Sequence, residues 1–321
     1  MSVLARLLVC AAILALPAAS LAETYPNRNV RVIVPFGPGG PTDVIARIFA
    51  QKLSESLGHQ FYVENMGGAG GNLGTATAAR SPADGYTILV VSTGFMVNPS
   101  LYARVPYDPL KDFTPLTLAA VSPNVVFVNP SVPAKTMKEL IELVKANPGK
   151  YGYAQPAIGS TPHLGAELLK LTYGLDLVMV PFTSAALAVN ATLTGQPPIG
   201  FTALPPAVGL IKEGKLRGLA VAALKRASAL PEVPTLAEAG VPNQEADTLT
   251  GFVLPAGTPP AIVEQLHREF VRIGALPEVR QRLETIGFNP VVNSPAEFGA
   301  RIKSEMAKWG KVVHDINLRI E

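Results

Sequence analysis

The chain has 321 residues, of which 48% are hydrophobic and 16% are charged, and its formal net charge is +3. This balance excludes a disordered protein and leaves room for roughly two globular domains, since a domain usually holds about 100–200 residues. The basic residues are scattered and form no run with interleaved aromatic residues, so we expect no nucleic-acid partner.

The N-terminus has the features of a secretory signal peptide. Arg6 supplies positive charge ahead of the apolar residues 7–16, a stretch shorter than the roughly 20 residues that a membrane-spanning helix needs. Small residues at Ser20 and Ala22 predict removal of residues 1–22 and export to the periplasm, with a retained membrane anchor as the alternative. Cleavage would also remove Cys10, the only cysteine, so the mature chain could form no disulfide.

Strands and helices are predicted to alternate along the first part of the mature chain. The apolar residues 30–35 predict a buried strand, and the helical pattern after them ends near Gly58. A strand over 61–64, an Ala-rich helix ending near Arg80 and a strand over 87–91 continue the alternation. This order predicts a parallel, doubly wound sheet.

A second series of strands and helices follows. Extended segments are predicted over 116–121 and 124–128, and Thr136 with Glu139 predicts a capped helix start. The further predicted elements are strands at 151–154, 177–181, 216–222 and 252–254, helices at 162–173 and 185–194, and helices that open at Thr258 and Ser294.

The second series interrupts the first, which predicts two α/β domains joined by two extended connections. Residues 23–123 and 226–321 are assigned to domain 1, and residues 124–225 to an inserted domain 2. Ligands in such sheets bind beyond the carboxyl ends of the strands, and a cleft between two domains offers two sets of strand ends. We therefore expect a ligand cleft that closes about a two-strand hinge.

A Gly-rich turn over residues 36–43 joins the first predicted strand to its helix. Glycines let backbone N–H groups approach a ligand, and a helix N-terminus adds partial positive charge, so the turn suits a carboxylate or a phosphate. It matches neither the dinucleotide-binding fingerprint nor the P-loop pattern. An ordinary tight turn with Thr42 or Asp43 as the helix cap is the alternative. The candidate ligand contacts here are Phe36, Gly37, Gly39, Gly40, Thr42 and Asp43.

A second turn of this kind precedes the helix predicted over 162–173. Ser160 or Thr161 can cap that helix, and Pro162 suits its first position. One such helix start in each domain could hold an anion between them. Residues 67–74 form a further Gly-rich stretch, which is either a structural loop or a third contact. The candidate contacts in the second turn are Gly159, Ser160, Thr161 and His163.

The sequence lacks the usual patterns of enzymes and metal sites. Neither Gly-x-Ser-x-Gly nor His-Glu-x-x-His occurs, and the four histidines lie far apart in the chain. We therefore assign no catalytic residue, no metal ligand and no cofactor.

Short motifs in a fixed order run from residue 25 to about residue 316. They include Tyr25-Pro26, 34–40 with Thr42-Asp43, 64–65 with 68–72, 84–87, 98–102, 107–109, 111–113, 159–161 with His163-Leu164, 214–217, 231–235, 238–240 and 255–259. In these motifs the chain resembles the substrate-binding receptors of tripartite tricarboxylate transporters, also called the Bug family. The resemblance implies a type II periplasmic-binding-protein fold without a cofactor. It also implies that the turns at 36–43 and 159–163 hold a ligand carboxylate, partly through water.

Three stretches depart from the family pattern and lose polar residues. Residues 182–184 are Phe-Thr-Ser where the family has Tyr and a basic residue, and residues 197–203 lack an acidic strand end. Phe95-Met96 stand where the family often has small polar residues and His. Because an unpaired buried polar group costs several kcal/mol, these losses predict a ligand with an apolar or aromatic body. The alternative is that these side chains pack in the core and the ligand is a polar dicarboxylate. The further candidate contacts are Ser92, Thr93, Phe95, Phe182 and Thr202.

Taken together, the sequence predicts a monomeric periplasmic protein that captures a small organic carboxylate for the permease subunits of a tripartite tricarboxylate transporter. A ligand sensor that docks on a signalling protein has the same fold and is the first alternative. An exported enzyme is the second, although no nucleophile–base pair is visible.

Overall fold

The computed structural model describes residues 25–320. The predicted signal peptide and its cleavage site lie outside this range. Among the described residues, no helix combines the length and the apolar character that a membrane crossing requires.

Strands and helices alternate through most of the described chain. Its first part contains β1 (Val30–Val34), α1 (Pro41–Leu57), β2 (Phe61–Asn65), α2 (Asn72–Ala79), β3 (Thr87–Ser92), α3 (Thr93–Leu101) and β4 (Phe113–Val128). The middle contains α4 (Met137–Lys145), β5 (Gly152–Pro156), α5 (Thr161–Tyr173), β6 (Val178–Phe182), α6 (Ala185–Leu193), β7 (Ile199–Ala203), α7 (Val208–Lys212) and β8 (Arg217–Val221). The last part contains β9 (Asp247–Pro255), α8 (Pro260–Gly274), α9 (Pro277–Thr285), β10 (Asn289–Pro290) and α10 (Pro295–Asp315).

The strands belong to two lobes that share β4. In the first lobe β2, β1 and β3 are parallel neighbours, and β9 lies antiparallel between β3 and β4. In the second lobe β6, β5 and β7 are parallel neighbours, and β7 and β8 pair antiparallel with β4. The predicted pair of doubly wound α/β units is confirmed. Because the helices follow parallel strands, α1, α5 and α6 begin at the strand ends that face the other lobe.

The 16-residue strand β4 passes from one lobe to the other. Sequence patterning predicted two separate extended segments here, but Pro123 lies within one continuous strand. Residues up to Pro123 pair with β9, and residues from Asn124 onward pair with β7 and β8. The main chain of Asn124 also accepts a hydrogen bond from Ala222 N at 2.7 Å and donates one to Ala246 O at 3.4 Å. The chain segments that connect the two lobes therefore lie side by side at Asn124.

Each lobe has its own hydrophobic core, and α10 contributes to both. In the first lobe the ring of Phe270 packs 5.1 Å from that of Phe49 and 4.5 Å from that of Phe252, measured between centroids. Trp309, near the end of α10, is buried with residues of the second lobe, whereas Phe298, near its start, is buried with residues of the first. The division of the chain into domains 23–123 with 226–321 and 124–225 remains a prediction.

Helix caps follow the sequence only in part. Ser294 and Glu297 form the complete predicted capping box of α10. Thr136 caps α4 as predicted, but the carboxylate of Glu139 accepts its hydrogen bond from Lys135 N, so the box is only half formed. The cap of α8 is Pro259 instead of Thr258, whose hydroxyl donates to the carbonyl of Pro255.

Candidate functional site

A pocket of about 510 Å³, solvent at its mouth included, lies between the two lobes. The first lobe contributes Phe36, Gly37, Gly40, Pro41, Thr42, Ser92 and Thr248. The second lobe contributes Pro156, Ala157, Ser160, Thr161, Pro162, Thr183, Ser184, Ala185 and Ala203.

Four helices begin at this pocket. The lining includes the caps of α1, α3, α5 and α6, which are Gly40, Ser92, Ser160 and Ser184. The first turn of a helix leaves backbone N–H groups without an intrahelical partner, and the peptide dipoles add partial positive charge at the same end. Four such ends around one pocket create a site for a negatively charged group.

No charged side chain lines the pocket among the described residues. The attraction for an anion must therefore come from backbone N–H groups, hydroxyl groups and helix dipoles. Binding of an anion in this way does not require a charged side chain of the protein to lose its hydration, a cost that would oppose binding. The arrangement favours small carboxylates that fit between the helix ends.

The loop at 36–43 is fixed from its outer side by Asp43. The Asp43 carboxylate, which is 4% exposed, accepts hydrogen bonds from Gly39 N at 3.0 Å, Arg47 Nε at 3.0 Å and Asn65 Nδ2 at 2.9 Å. Asn65 Nδ2 also donates to the carbonyl of Phe36 at 3.0 Å. Both ends of the turn are thus held by one polar cluster.

The negative charge of Asp43 is compensated within this cluster. Burial acts to raise the pKa of its carboxyl group, but the hydrogen bonds from Arg47, Gly39 and Asn65 together lower it below the ordinary value. Asp43 does not line the pocket, and the cap of α1 is Gly40, so neither Thr42 nor Asp43 is the cap. The structure therefore places Asp43 where it positions the turn without facing the pocket.

The loop at 159–163 is held by uncharged groups. Ser160 Oγ accepts from His163 N at 3.5 Å and caps α5, and Nδ1 of His163 accepts from Gly159 N at 3.0 Å. Burial lowers the pKa of His163 to about 4, so the imidazole is neutral near pH 7. Gly159 has a φ of +82°, and a Cβ at this position would collide with the side chain of Leu101. His163 and Gly159 therefore shape this turn from behind the pocket wall.

The Gly-rich stretch at 67–74 supports the first turn. A Cβ on Gly67 would lie 3.6 Å from Gly37 N, and a Cβ on Gly74 would lie 3.0 Å from the Cα of Pro35. These glycines allow two backbones to pack closely. Neither residue lines the pocket, which matches the structural alternative for this stretch.

The structure brings part of the predicted contact set together at the pocket. Seven of the predicted residues line it, and their role as ligand contacts remains a prediction. They are Phe36, Gly37, Gly40, Thr42, Ser92, Ser160 and Thr161. The predicted contacts outside the lining are Gly39, Asp43, Thr93, Phe95, Gly159, His163, Phe182 and Thr202.

The predicted apolar wall is not where the sequence placed it. Phe95 is 4% exposed and packs against the rings of Tyr107 and Phe113 in the first-lobe core. The hydroxyl of Thr93 bonds to the main chain of β9, and that of Thr202 bonds to the carbonyl of Ala203.

Met96 and Phe201 are also core residues, and Phe182 is half-buried outside the lining. The apolar part of the pocket consists of Phe36 and of proline and alanine residues: Pro41, Pro156, Ala157, Pro162, Ala185 and Ala203.

The sequence analysis singled out residues 182–184 but named only Phe182 as a contact there, and it missed the contribution of β9. Thr183, Ser184 and Ala185 follow a predicted strand and open a predicted helix, the same signal that identified the first two turns. Thr248 gave no signal, because it is an isolated threonine in a stretch without a motif. Among the described residues, no group of three or more His, Cys, Asp or Glu side chains could hold a metal ion.

Comparisons with known proteins agree with this geometry. The profile of the tripartite tricarboxylate transporter family receptor matches residues 45–318. BugT of Bordetella pertussis is 35% identical over 302 residues, which cover 94% of this chain and 93% of BugT. A solved periplasmic transporter is 41% identical with a TM-score of 0.89, and the match covers 92% of this chain and 100% of the transporter.

Two related structures contain carboxylates. An R. palustris protein solved with adipate is 34% identical with a TM-score of 0.89, and the match covers 92% of this chain and 99% of that one. MatC of Rhodopseudomonas palustris, solved with bound malate, is 32% identical with a TM-score of 0.85. The match covers 90% of this chain and 100% of MatC. The chain therefore belongs to the tripartite tricarboxylate transporter receptor family, whose members, the Bug proteins among them, are periplasmic solute-binding proteins.

Proposed function

We propose that this protein binds a small organic carboxylate with a largely apolar body and delivers it to the permease subunits of a tripartite tricarboxylate transporter. The observation that carries the proposal is the convergence of four helix N-termini on a pocket whose described lining residues include no charged side chain. Such a pocket attracts one carboxylate group strongly and offers no cation to a second ligand charge.

The shape of the ligand body follows from the rest of the lining. Apart from Phe36, the apolar surface comes from proline and alanine, which form a smooth wall without deep aromatic contacts. The adipate found in one related structure has an aliphatic chain between its carboxylates, and the malate found in the other is shorter and more polar. An aliphatic body suits the proline and alanine wall better than an aromatic ring, because Phe95 and Phe201 are buried in the cores.

Export and delivery complete the proposal. The protein reaches the periplasm after cleavage following Ala22 and acts there as a monomer without enzymatic activity. N-terminal sequencing of periplasmic material would give Glu23 as the first residue. A protein that starts at Met1 and stays in the membrane fraction would contradict this part of the proposal.

The ligand proposal is tested by mass spectrometry of small molecules released from the purified protein, followed by calorimetric titration with adipate, succinate, malate and benzoate. Binding to the native state raises apparent stability by RT ln(1 + [L]/Kd), so each true ligand also raises the melting temperature in a dose-dependent manner. We expect carboxylates to bind and the matching amides not to bind. Equal binding of a carboxylate and its matching amide, or binding of none of the four carboxylates, would contradict the proposal.

A further inference from the structure

The motif at residues 98–102 lies outside the pocket lining and has no part in the site described above. It forms the end of α3, which follows β3 of the first lobe. Asn98 and Leu101 are at most 1% exposed, Tyr102 is half-buried, and none of the three lines the pocket. Any influence of these side chains on a ligand must therefore pass through other residues.

Asn98 connects the motif to the Gly-rich loop of the first lobe. Its Nδ2 donates to the carbonyl of Gly70 at 3.0 Å and to Oδ1 of Asn72 at 2.7 Å. The hydroxyl of Tyr107 donates to the same Oδ1 at 3.2 Å. Because this Gly-rich stretch packs against the turn at 36–43, Asn98 links the end of α3 to the first turn.

Leu101 packs against the second turn. A Cβ on Gly159 would collide with the side chain of Leu101 and would lie 3.2 Å from Asn98 Oδ1. Glycine has only a hydrogen at that position, so the end of α3 and the turn at 159–163 are in close contact. One end of one helix therefore contacts the second turn directly and the first turn through the Gly-rich loop.

Tyr102 meets the second lobe at the Gly-rich loop itself. A Cβ on Gly70 would lie 2.6 Å from the hydroxyl oxygen of Tyr102 and 3.3 Å from the carbonyl oxygen of Ile158. Ile158 belongs to the second lobe, between β5 and α5. The Tyr102 hydroxyl and the Ile158 carbonyl therefore approach the same point of the first lobe, where there is no room for a side chain on Gly70.

Backbone hydrogen bonds hold the motif in place. Ile320 N donates to the carbonyl of Leu101 at 2.9 Å, and Ala103 N donates to the carbonyl of Ile320 at 3.0 Å. Tyr102 N donates to the carbonyl of Asn98 at 2.9 Å. The backbone that carries Leu101 and Tyr102 cannot move away from the second lobe without breaking these bonds.

We propose that residues 98–102 form an interlobe brace that sets the distance between the two turns when the lobes are together. A carboxylate bound by both turns depends on that distance, because an N–H···O hydrogen bond needs a donor–acceptor separation of roughly 2.7–3.2 Å. Asn98, Leu101 and Tyr102 are therefore positioning residues. They affect the affinity for every ligand by a common factor and leave the preference among ligands unchanged. This inference rests on the proposed function.

The test compares Gly70→Ala with Gly58→Ala as its matched control. The two glycines have φ of +64° and +74°, so alanine strains both backbones to a similar extent. A Cβ on Gly58 would have no neighbour within 4 Å, whereas a Cβ on Gly70 would meet the brace. We expect this overpacking to weaken adipate, succinate and malate by a common factor of about tenfold in calorimetric titrations. Gly58→Ala should leave all three affinities unchanged. Parent-like affinities of Gly70→Ala would overturn the inference.

Tyr102→Phe shows whether the brace causes the loss. It removes the hydroxyl oxygen nearest to the added Cβ, so Gly70→Ala combined with Tyr102→Phe should bind within about threefold of Tyr102→Phe alone. A double variant as weak as Gly70→Ala would overturn the role of Tyr102. A changed order of preference among the three acids would place the effect in the pocket and overturn the brace.

Tyr102→Ala tests the brace even where Gly70→Ala does not fold. Because Tyr102 is only half-buried, its truncation should leave the protein folded and weaken all three acids about fivefold, the equivalent of about 1 kcal/mol. Tyr62→Ala, which removes an exposed tyrosine outside the pocket lining, is the control and should have no effect. Parent-like binding by Tyr102→Ala would overturn the brace and leave the carboxylate proposal intact. Failure of the unaltered protein to bind any carboxylate would overturn both.

Discussion

The two turns that face each other across the pocket are held by different chemistry. In the first lobe, the turn at 36–43 has no side-chain cap and is fixed by the buried carboxylate of Asp43 together with Arg47. In the second lobe, the turn at 159–163 is fixed by the hydroxyl of Ser160 and the neutral imidazole of His163. Asp43, Arg47 and His163 lie outside the pocket lining, whereas Ser160 both caps α5 and lines the pocket.

This comparison shows how a site for an anion can contain charged residues and yet present none of them. A carboxylate that lined the pocket would repel the ligand, and an arginine there would favour a second ligand charge. Asp43 and Arg47 neutralise each other outside the lining, and burial keeps His163 uncharged. The first turn is therefore held by a charged pair and the second by neutral groups, but both present an uncharged helix N-terminus to a ligand.

Asp43→Ala should give the largest effect, because it removes three hydrogen bonds to one buried carboxylate. Hydrogen bonds to charged groups are worth about 1.5–3 kcal/mol each, and the half-exposed Arg47 recovers part of its loss in water, so we expect about 3–4 kcal/mol less stability. Urea unfolding measures this loss. Arg47→Ala is the matched control and should cost clearly less. An Asp43→Ala protein as stable as the parent would show that the first turn does not depend on this cluster.

Gly159→Ala should give the second-largest loss of stability, and Gly39→Ala should give a smaller loss. Both residues have φ near +80°, where a side chain is strained by about 1 kcal/mol. At Gly159 the added methyl also meets Leu101, whereas at Gly39 the nearest atom is Ala186 Cβ at 3.6 Å. Thermal unfolding should therefore show a loss of about 2–3 kcal/mol for Gly159→Ala and about 1 kcal/mol for Gly39→Ala. The reverse order would mean that the second turn tolerates distortion better than the first.

His163→Leu should cost less than Gly159→Ala near pH 7, about 1–2 kcal/mol, because it leaves Gly159 N without its acceptor. The pH dependence distinguishes it further. The pKa of His163 falls from 6.5 to about 4 on folding, so the unfolded state binds more protons in this window and stability falls as pH drops through it. Unfolding curves from pH 7 to pH 4 should show a weaker decline for His163→Leu. A decline as steep as in the parent would argue against a buried neutral imidazole.

Local sequence signals predicted most of the fold and half of the site. Glycines and prolines at 36–41 and a cap at Ser160 mark helix starts that depend on near neighbours, so both turns could be recognised. Helix α3 was missed because Gly94 and Pro99 are poor helix-interior residues, and its place is set by packing against α10.

The apolar wall was misplaced for a similar reason. The sequence order shows that Phe95 follows a strand, but it does not show which side of the backbone faces the pocket. The partners of Phe95 in the core, Tyr107 and Phe113, lie on later segments. Thr248 meets Asn124 across 124 positions of sequence, a contact that no local pattern reports.

The central claim is that the pocket binds a carboxylate through helix ends and hydroxyls without a charged partner. Thr183 tests it most directly, because this exposed residue lines the pocket and directly precedes Ser184, the cap of α6. Calorimetric titration with adipate or malate would compare Thr183→Asp with Thr183→Asn, which has nearly the same size but no charge. A negative charge within a few Å of the ligand should weaken binding by about 1–3 kcal/mol, so we predict that Asp lowers affinity about fivefold or more relative to Asn. Equal affinity of the two variants would contradict the account.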